Sequence, residues 1–115
     1  MPKVISVHEY MLKPGSDANQ FEQAIRRARE EGLLRLPGLI DYHFLKGIKG
    51  ARSQRYAAIW VYESRDAWES LWGPLEEPTP KQEYPESWKR WEGEVLAPFL
   101  DQDPDEIRFT SYEEL

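Results

Sequence analysis

The chain has 115 residues, 40% of them hydrophobic and 13% aromatic, which suits one packed domain over residues 1–115 and argues against a disordered chain. A formal net charge of −6 argues against the basic surface that nucleic acid or an anionic membrane would require. With no cysteine, disulfides, thiolate nucleophiles and cysteine-based metal sites are excluded.

The first residues, MPKVISVHEY, read as a strand rather than as the apolar core of a signal peptide, and no run approaches a membrane span. The expectation is a cytoplasmic protein. Residues 4–12 alternate, with Ile5, Val7 and Met11 on one face and Val4, Ser6, His8, Tyr10 and Leu12 on the other. Lys13-Pro14-Gly15 ends this strand. Asp17 stands where a helix N-cap belongs, with Gln20 completing a capping-box pattern. Phe21, Ala24, Ile25 and Ala28 follow at helical spacing, and Glu22–Arg26 and Arg27–Glu31 are i,i+4 pairs on a solvated face. Gly32 and Pro37-Gly38 close the helix.

Residues 39–46, LIDYHFLK, predict a second strand whose facing the irregular alternation leaves open. A glycine- and cation-rich turn leads into the most regular stretch of the chain, residues 55–63. Tyr56, Ala58, Trp60 and Tyr62 share one face there, and Ala57, Ile59 and Val61 the other, so this strand sits centrally in a sheet. Ser64 is placed to cap a helix carrying Trp68, Leu71, Trp72 and Leu75. Prolines 74, 78, 80 and 85 break the regular pattern, leaving either a lid or a rigid connector. Trp88, Trp91, Val95 and Phe99 form a further helical stripe, and residues 107–112 alternate as a last strand. The four tryptophans of the two helical segments, Trp68, Trp72, Trp88 and Trp91, read as core.

The order is β-α-β-β-α-β with the second helical segment split. It predicts an α+β, ferredoxin-like fold: a four-stranded antiparallel sheet with helices on one face. The other face is then left bare. That face is expected to carry Tyr10, Trp60 and Tyr62, which makes it too apolar for water, so a second copy must cover it. Two facing sheets would close a dimeric α/β barrel with a pocket in its interior.

VISVHEYMLKPG, LPGLIDYHFLK and AAIWVYESRDAW together resemble the dimeric α/β-barrel superfamily, in particular its antibiotic-biosynthesis-monooxygenase-like branch. The markers are Pro14-Gly15, Pro37-Gly38, and Tyr62-Glu63-Ser64 leading into a helix. The resemblance implies a homodimer and, in some members, cofactor-free oxygenation of polycyclic phenols and quinols. In the haem-degrading members a strand-one asparagine, an aromatic before the helix cap and a later histidine build the site. Here His8 stands at the asparagine position and Tyr62 at the aromatic one, and no histidine follows His43, so haem degradation of that type lacks its iron ligand.

His8 is the candidate catalytic residue, a base able to take a phenolic proton, or else a histidine satisfied by hydrogen bonds in a dimer cavity. Tyr10, Trp60 and Tyr62 are the candidate ligand-pocket residues, able to stack on a planar molecule or simply to pack. Asp41 with His43 is too few for a metal site, so neither metal nor cofactor is expected. Lys46, Lys49, Arg52 and Arg55 could gate an anion, or form a solvated turn. The expected partners are a second copy of the chain and a small aromatic or apolar ligand. The alternative is a non-catalytic dimer of the same fold.

Overall fold

The computed structural model describes residues 2–115. Its elements follow the predicted order: β1 (Val4–Tyr10), α1 (Ala18–Glu30), β2 (Leu39–Lys46), β3 (Tyr56–Tyr62), α2 (Arg65–Trp72), α3 (Glu86–Arg90) and β4 (Phe109–Glu113). The four strands form one antiparallel sheet in the order β2-β3-β1-β4, so the regular strand is internal and β2 lies at an edge.

Both long helices start where the sequence places their caps. Asp17 Oδ1 accepts from the N–H groups of Asn19 (2.8 Å) and Gln20 (3.4 Å), and Ser64 Oγ accepts from Ala67 N–H (3.1 Å). Phe21, Ile25 and Ala28 of α1 are buried. Glu22 is less solvated than its helical pattern suggests, because its carboxylate accepts the Tyr56 hydroxyl from β3. The second helical segment is split, as expected. α3 runs directly into a wide turn, Trp91–Leu96, in which Ala97 N–H reaches Glu92 C=O at 2.8 Å, five residues back. Trp88, Trp91, Val95 and Leu96 are buried there.

The helices cover the face of the sheet that carries Val4, Ser6 and Tyr10 from β1 and Tyr56, Ala58, Trp60 and Tyr62 from β3, all buried. Trp60, with no exposed surface, is the hub. Its ring lies 5.0 Å from Trp88, 5.6 Å from Phe44 and 5.9 Å from Trp91. The expectation that Tyr10, Trp60 and Tyr62 lie on the bare face is therefore overturned. Alternation separates two faces without saying which one the helices take. They take the aromatic one, because large rings remove the most apolar area from water. Smaller residues, Ile5, Val7, Ala57, Ile59 and Val61, are left on the open side, half-buried among themselves.

The register also settles β2. A bulge between Leu39 and Asp41 shifts the strand, after which Tyr42 pairs with Trp60 and Phe44 with Ala58. Tyr42 and Phe44 thus join the covered face, while Asp41, His43 and Leu45 face outward beside Val61, Ile59 and Ala57.

Candidate functional site

Between the sheet and the second helical segment lies an open-mouthed cavity of about 600 Å³. Its floor is Ser6 and His8 of β1, Tyr62 of β3, and Phe109 and Ser111 of β4. Trp68 and Trp72 of α2 form one wall; Trp88, Glu92 and Leu96 form another. Trp88 comes from α3, and Glu92 and Leu96 from the wide turn that continues it, four residues apart along the chain, while Trp91 and Val95 pack in the core. The proline-rich stretch roofs the cavity through Pro74, Leu75, Pro78 and Tyr84. This stretch is held rather than loose: Thr79 N–H returns to Trp72 C=O at 2.9 Å. Gly73 has φ +84°, and a Cβ there would come within 2.5 Å of the Thr79 nitrogen, so the return needs glycine. Connector and roof are one structure.

The aromatic lining is mutually braced. Trp72 Nε1–H donates to the Tyr62 hydroxyl at 3.2 Å, and the Trp72 ring lies edge-on to Tyr84 at 5.1 Å and to Trp88 at 5.3 Å. Burial raises the Tyr62 hydroxyl well above the usual phenol range, with the Trp72 bond opposing it, so it stays a neutral hydroxyl. On the floor, Ser6 Oγ and Ser111 Oγ lie 2.7 Å apart across β1 and β4. A Lys81–Asp105 ion pair joins the roof to the turn before β4.

Two polar atoms in this cavity are buried with no hydrogen-bond partner, Nδ1 of His8 and Oε1 of Glu92. The His8 ring sits among Trp60, Trp88 and Phe109 at 5.6–6.2 Å. Burial lowers its pKa to about 4, so at neutral pH it is an uncharged imidazole. That suits it to hydrogen-bonding better than to taking a proton. Glu92 moves the other way. Burial, with Asp105 next in effect, pushes its carboxyl up to about 7, against the opposing pull of Lys81 and the Trp88 indole N–H.

Of the residues predicted from the sequence, His8 and Tyr62 line the cavity together. Trp60 does not; it packs beneath, behind His8 and Trp88. Tyr10 lies at the far end of the sheet, against Phe21 at 6.4 Å. Burial there raises its hydroxyl pKa far above the phenol range; the Trp91 and Trp60 indoles oppose the shift without meeting hydrogen-bond geometry. The aromatics expected to line a pocket between two facing sheets thus lie on the helix side of a single chain. Glu92, Trp68, Trp72, Trp88 and Tyr84 were not assigned to a site from the sequence. The signal for the three tryptophans is their helical stripes, which core packing explains equally well; Glu92 carries none.

The cationic turn borders a second crevice of about 540 Å³, lined by Lys46, Arg52, Arg55 and Arg108. Arg52 is committed to Glu9 at 2.7 Å, and Lys46 lies over the Tyr56 ring. Among the described residues, no group of three or more metal-ligating side chains comes together, and no helix is long and apolar enough to cross a membrane.

Solved structures match the chain along nearly its whole length. A candidate antibiotic biosynthesis monooxygenase from Bordetella bronchiseptica superposes with TM-score 0.66 at 13% identity, covering 100% of this chain and 99% of that one. This chain has a ferredoxin-like fold. A dimeric ferredoxin-like protein from Thermobifida fusca (TM-score 0.63, 14% identity, 97% and 91% covered) shares it. So does SnoaB, a cofactor-independent oxygenase from Streptomyces nogalater (TM-score 0.59, 14% identity, 97% and 92% covered). No protein-family model and no curated protein matches the sequence. The resemblance read from the sequence thus holds for the ferredoxin-like fold.

Proposed function

We propose that this ferredoxin-like chain binds a planar aromatic molecule in its own cavity, works as a homodimer, and oxidises that molecule with dioxygen and no cofactor. One observation carries the reading: a cavity of about 600 Å³ walled by Tyr62, Trp68, Trp72, Tyr84 and Trp88 also holds two buried polar atoms without partners. Aromatic walls fit a flat apolar body, and unpartnered polar atoms fit a ligand that carries polar groups of its own. The similarity in fold to SnoaB and to the Bordetella protein supports oxygenation as the chemistry. The Thermobifida protein's dimeric state supports pairing through the open face.

The reaction balances on an aromatic alcohol with a free para position. Loss of the hydroxyl proton gives an electron-rich anion. The ring is oxidised to a quinone; one oxygen atom of dioxygen enters the ring and the other leaves as water. Oxygen uptake with 1-naphthol and with anthrone, followed by mass spectrometry with labelled dioxygen, tests this. The expected result is equimolar uptake with one labelled atom in the product. Binding of either compound without uptake would instead establish a non-catalytic ligand carrier. That second reading draws on His8, whose depressed basicity leaves it a poor base.

A further inference from the structure

The two unpartnered atoms lie on different walls, Nδ1 of His8 on the sheet and Oε1 of Glu92 on the helix. The cations near Glu92 are already engaged. Lys81 pairs with Asp105, and Arg90 turns outward to Glu94 at 2.9 Å. A carboxyl oxygen shielded from water, with no cation of its own, is costly to hold as an anion unless something donates to it.

We infer that Glu92 is the proton acceptor of the cavity, taking the proton of a hydroxyl on an aromatic ligand, and that it makes the site select neutral hydroxyaromatics over ethers and carboxylates. This rests on the reading of the cavity as the ligand site. The charged and titratable groups around Glu92 are Asp105 and Asp103 on the turn before β4, Lys81 and Tyr84 on the roof, and neutral His8 on the floor. That end of the cavity is net acidic, so an anionic ligand is repelled and a donor is drawn in. In the transfer, the ligand O–H bond breaks, its electron pair stays on the ligand oxygen, and the proton bonds to a Glu92 carboxylate oxygen. No electron changes hands in this step. Burial places Glu92 near neutrality, where an acceptor both ionises and holds a proton; buried His8 is too weakly basic to compete.

The test compares 1-naphthol, 1-methoxynaphthalene and 1-naphthoate by calorimetric titration at pH values on either side of the Glu92 midpoint. In the parent, naphthol should bind about tenfold more tightly at the higher pH, when a charged acceptor replaces a neutral one. The ether should be weaker and flat with pH, and naphthoate should weaken as pH rises. In Glu92→Gln all three should be flat with pH. Naphthol binding that is equally flat in the parent overturns the inference and leaves the ligand reading standing. Failure of all three ligands to bind overturns the ligand reading itself. A readout without ligand is the carboxyl carbon resonance of Glu92, identified by its loss in Glu92→Gln. A midpoint near 7 is expected, and one near the ordinary carboxylate value of 4.5 overturns the inference.

Discussion

His8 and Glu92 share one cavity, and burial moves their proton affinities in opposite directions. Glu92 binds protons more tightly folded than unfolded, so its contribution to stability is lost as pH rises from 4.5 to about 7. His8 binds them less tightly folded, so its contribution is lost as pH falls from 6.5 to about 4. Between these limits the two slopes oppose each other, and the parent should show little net dependence from this pair. Removing one partner uncovers the other. Urea denaturation should find Glu92→Gln more stable relative to the parent above neutrality than at acid pH; a constant difference would contradict the burial of Glu92. His8 stood out in the sequence because a lone histidine on an apolar strand face is conspicuous. Glu92 did not, because it falls outside the stripe of Trp88, Trp91, Val95 and Phe99. Glu94, also outside it, is solvated and paired with Arg90. Only tertiary packing tells the two glutamates apart.

Strand β3 and the start of helix α2 were legible almost residue by residue, since period two, a serine cap and period 3.6 follow one another without a break. But α2 ends at Trp72, and Leu75, expected on its stripe, lies exposed in the roof. The face left open was not legible, because both faces of β3 are apolar and periodicity carries no sign. The facing of β2 was hidden by its bulge. Another feature that local patterns miss is the contact that seats α2. Gly38 has φ +80°, its carbonyl accepts Glu63 N–H at 2.9 Å, and a Cβ there would lie 2.7 Å from the Ala67 Cβ. Gly38→Ala should therefore cost roughly 1–3 kcal/mol of stability in urea denaturation, from backbone strain and the clash together. Adding Ala67→Gly should recover the clash alone, leaving a net loss. A neutral Gly38→Ala would mean that α2 does not pack this closely on the turn.

At the scale of the whole molecule, the open side of the sheet has an apolar centre of Ile5, Val7, Ala57, Ile59 and Val61 and a more polar rim. Glu9–Arg52 and Asp41–His43 pairs lie on that rim, with Leu45 and Tyr112 45% and 57% exposed. An apolar centre within a polar rim is the make-up of an association surface. A partner seated there would lie across the sheet from the cavity, so binding and pairing should be separable. Ile59→Asp should separate them: an unpaired charge in the centre of the proposed interface costs several kcal/mol, enough to dissociate the proposed dimer. The decisive measurement is calorimetric titration of 1-naphthol into Ile59→Asp, once light scattering shows a monomer and circular dichroism a folded chain. A cavity belonging to each chain predicts a Kd within about threefold of the parent dimer's. Loss of binding together with the dimer would contradict it, and would put the ligand between two sheets instead.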